Sequence, residues 1–233
     1  MTNTLKLRMN SNRQPTDSCD FSFDAFLFDM DGTLVDSTAV VERSWHRWAE
    51  RHGLDGDAII DAAHGVRSID TIRTFAPVGV DVASENAWFR GIEIEDVDGI
   101  KPILGVPEFL DQIPTDRWAI VTSADRLLAE RRLLASGIPM PHVLVTSDDV
   151  DKGKPDPEGF IRAAHQLRVD VRRCLVFEDS VPGIQAGRSA CATVLTVGDV
   201  GRFDCNSTRL SISDFRSLRL VIMPDDTMAI EIK

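Results

Sequence analysis

Cysteine is scarce and unpatterned. Cys19, Cys174, Cys191 and Cys205 are widely spaced and form no CxxC pair. That spacing excludes a dense disulfide framework or a structural zinc module and reads as the reduced thiols of a cytoplasmic protein. Long hydrophobic runs are missing too: none approaches the ~20 residues that span a bilayer. Residues 1–20 lack the apolar centre of a secretory signal, so 1–22 read as a disordered extension. Positive charge is in deficit, with 26 basic against 37 acidic residues and a net charge of -11. This argues against a nucleic-acid-binding surface and is compatible with divalent cations. There is no internal repeat and no low-complexity segment. Apolar residues make up 43% of 233, enough for a sizeable core in one large or two small domains.

What is present is organised around one stretch. Residues 25–28 carry no charge, and Asp29-Met30-Asp31-Gly32-Thr33 follows at once. An uncharged run bounded by acids suits a short buried parallel strand that opens into a loop at Asp29. Gly32 permits a tight turn and close approach to a ligand. Side chains two residues apart on an extended chain point the same way. Asp29 and Asp31 therefore repel unless a cation, a proton, or a phosphorylated ligand with its metal lies between them. Beyond Thr33 the spacing of Val40, Val41, Trp45 and Trp48 predicts one face of a helix that closes at Gly53, with the tryptophans as core anchors. Helical character continues over 57–75 and 84–91, and no β-alternation appears between Asp36 and Gly99. Residues 37–100 read as a small helical cap domain.

From Pro102 the pattern alternates. Strands are predicted at 118–121, 142–145, 174–177 and 192–197, with helices at 106–113, 127–134, 157–167 and 181–190. Such alternation implies right-handed βαβ crossovers and a parallel sheet. Residues 220–233 read as a strand-like tail, turning at Pro224-Asp225-Asp226. The expectation is a Rossmann-like three-layer α/β core over 23–36 and 101–233, with the helical cap inserted between.

Polar clusters follow the predicted strands: Asp29 with Asp31, Thr122 with Ser123, Lys154, and Glu178 with Asp179. Strand ends of a parallel sheet are where ligands bind. Lys154 precedes Pro155, which disfavours a helical lysine, while Pro157 suits the opening of the next helix; Lys152 is a neighbouring alternative. Carboxylates without clustered histidines or thiols suit an octahedral, oxygen-liganded Mg²⁺.

The set resembles the haloacid dehalogenase-like superfamily, and within it the sugar-phosphate phosphatases related to β-phosphoglucomutase. The resemblance runs from about Phe23 to Val197 and rests on Asp29-Met30-Asp31-Gly32-Thr33, Thr122, Lys154-Pro155 and Glu178-Asp179-Ser180 in the family's order. It implies a phosphoric monoester hydrolase in which Asp29 attacks phosphorus and Asp31 is the general acid and base. It further implies Mg²⁺ on the Asp29 carboxylate, the Asp31 backbone carbonyl and Asp179, with Glu178 at or just outside that shell. Lys154 would balance phosphate charge, and Thr122 and the Ser123 amide would hold phosphate oxygens. His64, Gly65 and Arg67 match the position of the family's substrate-specificity loop in the cap. The implied partner is a small phosphorylated metabolite, a sugar or polyol phosphate, with no nucleic acid or membrane, and the protein a monomer or small homo-oligomer.

Other chemistries fit less well. A phosphomutase uses the same nucleophile but must shield the aspartyl phosphate from water, and the greater number of phosphatases in the family decides the order. Dehalogenation needs no acid for the leaving halide, so Asp31 argues against it. A phosphonate hydrolase needs a cap lysine, and none occurs between Asp36 and Gly99. The intact acidic pair with Lys154 and Asp179 argues against a silent binding module.

Overall fold

A computed structural model describes residues 22–198 and 210–232. All but the last residue of the expected N-terminal extension lies outside the described residues, as do Cys19 and Cys205. The first strand, β1 (Ala25–Phe28), is apolar and buried throughout because both of its faces are covered. Phe26 and Phe28 join an aromatic cluster on one side, and Ala25 and Leu27 an aliphatic cluster on the other, as the two-residue period of a strand requires.

The chain then passes through β2 (Val35–Asp36) into α1 (Thr38–His52), α2 (Gly56–Ala63), α3 (Ser68–Phe75) and α4 (Val82–Glu95). It returns through β3 (Lys101–Pro102), which pairs antiparallel with β2. Gly53 ends α1 in the left-handed conformation, its N–H donating to the carbonyls of Ala49 and Glu50. Asp55 and Asp81 cap α2 and α4 by accepting from backbone N–H groups of the first turn. The Asp81 cap starts α4 earlier than the predicted 84–91, and the helix runs on through Gly91 because Phe89, Ile92 and Glu93 are buried on one side. The four helices enclose a core of their own around Trp45, Trp48, Ile59, Ile72 and Phe89. The Trp45 and Phe89 rings lie 4.0 Å apart between centroids.

The core continues as α5 (Val106–Leu110), β4 (Trp118–Val121), α6 (Arg126–Ser136), β5 (Val143–Val145), α7 (Glu158–Gln166), β6 (Cys174–Glu178), α8 (Val181–Ser189), β7 (Thr193–Val197) and β8 (Ser211–Ile212). Helix α5 stops short of the expected 106–113: Gln112 and Ile113 donate to carbonyls three residues back, Phe109 and Leu110, and Pro114 has no N–H to continue the helix. The six-stranded sheet has the order β5-β4-β1-β6-β7-β8, every pair parallel. Helices α5 and α6 pack on the aromatic face and α7 and α8 on the aliphatic face, giving three layers. Phe28 and Phe177 stack at 4.5 Å across β1 and β6, and full burial of each contributes about 1.5–3 kcal/mol. The tail forms an antiparallel hairpin of β9 (Leu218–Ile222) and β10 (Met228–Ile232). Among the described residues no helix is long and apolar enough to cross a membrane.

The sheet order decides where the polar clusters meet. With β1 between β4 and β6, Asp29, Thr122 and the Glu178-Asp179 pair all leave the sheet at its carboxyl edge, on neighbouring strands.

Candidate active site

Asp29 is the first residue past β1, and its N–H donates to the Phe177 carbonyl at 2.9 Å, which fixes the chain where it leaves the sheet. The Lys154 ammonium donates to Asp29 Oδ1 and, at 2.6 Å, to Glu178 Oε1. Lys154 is 6% exposed in its side chain and Glu178 0%. The other Glu178 oxygen accepts from the Asp179 and Ser180 N–H groups and the Ser180 hydroxyl, at 3.0, 3.1 and 3.0 Å. Glu178 thus fixes both the lysine and the acidic loop. Burial opposes the lysine's charge, but the Asp29 and Glu178 carboxylates outweigh it and hold its pKa above the usual range. For Asp29, burial pushes the carboxyl upward and Lys154 pulls it down.

Among the described residues Asp29, Glu178 and Asp179 each offer a carboxylate oxygen within 4.8 Å of the others. An all-oxygen, all-anionic donor set fits a hard divalent cation and not a thiophilic one. The Thr33 hydroxyl holds Asp179 Oδ1 at 3.2 Å. Gly32 is in the left-handed region at φ 80°, and a Cβ there would sit 1.8 Å from Asp179 Oδ2, so the acidic loop closes over β1 only because that side chain is missing.

The second aspartate is held differently. Asp31 Oδ1 accepts from the Ser37 hydroxyl at 2.6 Å, and Oδ2 pairs with Arg132 Nη1 at 2.9 Å. Thr122 is buried at the end of β4, with Oγ1 accepting from the Ala124 N–H. The Ser123 hydroxyl donates to the Gly65 carbonyl of the cap at 2.9 Å.

Cap and core enclose a cavity of about 620 Å³, lined by Asp29, Asp31, Thr122, Ser123 and Asp179 from below and by His64, Gly65 and Arg67 from above. Lys154 lines a small adjoining recess instead, and Glu178 is fully buried beneath. His64 Nε2 lies 2.8 Å from Asp179 Oδ2, and that carboxylate raises the imidazole pKa. Arg67 faces the cavity but is already partnered, donating to Asp70 at 2.6 Å and to the Asp151 carbonyl at 3.2 Å. Gly65 packs so closely on Ser180 that a Cβ would lie 2.2 Å from its hydroxyl oxygen. We expect Gly65→Ala to hold the cap off the core and to lower kcat/KM by about 10²-fold, the order of a 1 Å misplacement of positioning groups. Because Gly65 also sits in the left-handed region at φ 76°, some loss of thermal stability should accompany the change. Steady-state kinetics on protein shown to be folded would establish the effect, and wild-type kinetics would refute it.

Sequence reading missed Ser37, Glu93, Arg132, and the Arg90–Asp125 pair at 2.7 Å. For Arg132 a signal existed, since it falls in phase with Leu128, Ala129 and Leu133 on the buried side of α6.

A family model for haloacid dehalogenase-like hydrolases matches residues 23–190. Hexitol phosphatase A of Escherichia coli is 37% identical over 176 residues, covering 74% of this chain and 82% of that protein. The 2-deoxyglucose-6-phosphate phosphatase 1 of Saccharomyces cerevisiae is 32% identical over 206 residues, covering 79% and 83%. A solved β-phosphoglucomutase from Clostridium difficile shares the fold, with a TM-score of 0.73 at 18% identity over 84% of this chain and 93% of that one. A match through β1, the cap and the acidic loop leaves one assignment: the chain belongs to the haloacid dehalogenase-like hydrolases, with a helical cap inserted in the α/β core.

Proposed function

We propose that this phosphoric monoester hydrolase acts on a small sugar or polyol monophosphate through an aspartyl phosphate on Asp29, with Mg²⁺ as its metal. The observation that carries the reading is the convergence of Asp29, Lys154, Glu178 and Asp179 at one sheet edge, with Asp31 two residues on. An Asp29 oxygen bonds to phosphorus as the bond to the leaving oxygen breaks, and Asp31 delivers a proton to that oxygen. Asp31 then takes a proton from the water that opens the aspartyl phosphate. Lys154 offsets the charge gathered on Asp29 and the phosphoryl oxygens, and Thr122 and Ser123 orient those oxygens. Asp29 and Asp179, with the Asp31 carbonyl, would hold Mg²⁺, and Glu178 would lie at or just outside its shell. When bound, the ion supplies charge neutralisation for the transferring phosphoryl group. The cap residues His64, Gly65 and Arg67 are the reading's choice for substrate contact, Arg67 through whatever donor its Asp70 and Asp151 partners leave free.

The substrate class is supported by relatives named for hexitol and 2-deoxyglucose-6-phosphate hydrolysis and for glycerol 1-phosphate hydrolysis. The cavity adds to it. Arg90 pairs with Asp125 and Arg132 with Asp31 and Glu93, so these arginines are already neutralised against a second phosphate. The test is phosphate release from a panel of sugar, polyol and bisphosphorylated compounds with Mg²⁺. We expect a monophosphate of a sugar or polyol to exceed p-nitrophenyl phosphate in kcat/KM by at least about 10-fold, because remote contacts are realised only with a hydroxylated body. Chelator should lower activity by at least about 10²-fold, with Mg²⁺ restoring it. A flat preference across the panel, or full activity in metal-free enzyme, would overturn the reading.

A further inference from the structure

One charged group beneath the cavity has no part in the chemistry set out above. Arg132, on α6 of the core, is 4% exposed and lies between two carboxylates. Its Nη1 meets Asp31 Oδ2 at 2.9 Å, and its Nη2 donates to Glu93 Oε1 at 2.8 Å. Glu93 belongs to α4 of the cap and is itself 7% exposed. The contact therefore runs from the cap, through one guanidinium, to the aspartate read as the acid and base. Burying an arginine and a glutamate together rarely gains stability over apolar side chains of the same size. Arg132 Nε, moreover, has no hydrogen-bond partner among the described residues. A buried donor left so costs about 1–3 kcal/mol, which makes stability alone a poor account of the arrangement. Burial pushes Glu93 up to about 6, while Asp31 and Glu93 keep Arg132 charged despite its own burial.

We propose that Arg132 is a positioning residue for Asp31 and that Glu93, from the cap, holds the guanidinium in the orientation that meets Asp31 Oδ2. The inference rests on the reading of Asp31 as general acid. The guanidinium is a rigid planar fork, and anchoring one nitrogen on Glu93 sets the direction in which the other meets Asp31. Ser37 fixes the remaining Asp31 oxygen at 2.6 Å, and it is the residue that leads into α1. Both constraints on the carboxylate thus come from places where the cap joins or touches the core.

A neighbouring contact supplies the control. Arg90, one turn before Glu93 on α4, pairs with Asp125 at the start of α6 at 2.7 Å. It docks the same two helices without reaching the acid.

The test uses the ratio of kcat/KM for an alkyl phosphate to that for p-nitrophenyl phosphate in the full-length protein. This parameter reports events up to departure of the leaving group, and only the alkyl leaving group needs a proton. We expect Glu93→Ala and Arg132→Lys each to lower the ratio by about 10-fold, part of the ~10² that a general acid supplies. Glu93→Gln, which keeps an acceptor for Arg132, should restore most of it. The Glu93→Ala, Arg132→Lys double variant should fall no further than either alone, as members of one relay are not additive. Arg90→Ala should lower both substrates in parallel and leave the ratio unmoved. Arg132→Lys keeps a buried cation, and Glu93→Gln keeps the volume, so the test does not depend on a variant that unfolds. An unmoved ratio in Glu93→Ala and Arg132→Lys, or an equal drop in Arg90→Ala, would overturn the proposal. The parent reading is checked separately by Asp31→Asn, whose failure to lower the ratio would sink Asp31 as the acid itself.

Discussion

Asparagine in place of Asp29 is expected to abolish turnover while leaving the fold at least as stable. An amide is a poor nucleophile, and loss of a nucleophile costs on the order of 10⁴- to 10⁶-fold in kcat. The stability half of the expectation comes from the surroundings. Asp29 is buried, and burial together with Glu178 and Asp179 works against its charge, with Lys154 the chief compensation. The Asp29→Asn substitution would remove one of three crowded carboxylates and leave Lys154 its bond to Glu178 at 2.6 Å. In metal-free buffer the variant should therefore melt at or above the wild-type temperature, the behaviour of a site whose strain serves function. Phosphate-release assays, with the mass checked against deamidation, and thermal melts decide both halves. Substantial turnover, or a melting temperature well below wild type, would refute the assignment of Asp29.

Lys154→Met should damage activity and fold together. The ammonium is 6% exposed, bonded to Asp29 and Glu178, and lies over the Phe160 ring at 5.5 Å from its centroid. Methionine keeps the stem and the ring contact but leaves two buried carboxylates without their cation. Breaking a buried pair in this way costs about 3–5 kcal/mol, measurable by denaturant unfolding. Activity should fall by a further ~10²–10³, the order of a lost electrostatic stabiliser. Because the cost is a matter of unpaired charge, Lys154→Met combined with Glu178→Gln should recover part of the stability, Asp29 remaining without its cation, and none of the activity. A Lys154→Met protein with wild-type stability would show that the carboxylates find another partner.

The core was legible because its strands are short apolar runs with polar ends. Residues 118–121 and 174–177 read as strands from composition, and the structure places β4 and β6 there, the latter extended by Glu178. The hairpin at the end was legible from Pro224-Asp225-Asp226, where Asp226 takes a positive φ of 64°. The two-residue strands β2, β3 and β8 were not, since a pair of residues carries no period. Nor was the sheet order, which depends on crossovers and brings Thr122 beside Asp29 from far along the chain. At the site, the acidic pair, Lys154 and the acidic loop stood out as charges at strand ends. Arg132 and Glu93 did not, although each sits in phase with apolar residues of its helix, Arg132 with Leu133 and Glu93 with Phe89 and Ile92. A charge on the apolar stripe of a helix signals a partner on another element, and which partner is settled only by packing.

The ribbon of β2 and β3 has a consequence for how such a chain can diversify. Asp36 and Lys101 are register partners in it and form an ion pair at 3.3 Å, so everything between them leaves and re-enters the core at a single point. Topologically that makes residues 37–100 a graft on a continuous scaffold. The entropy of closing a segment grows only with the logarithm of its length, about 0.6 kcal/mol per doubling, so a longer or differently shaped graft adds little strain to the sheet. New selectivity can then be acquired wholesale, by exchange of the graft, while the phosphoryl-transfer apparatus is inherited untouched. The inheritance carries two conditions: any replacement must keep the Ser37 hydroxyl on Asp31 and bring an acceptor to the place where Glu93 now meets Arg132.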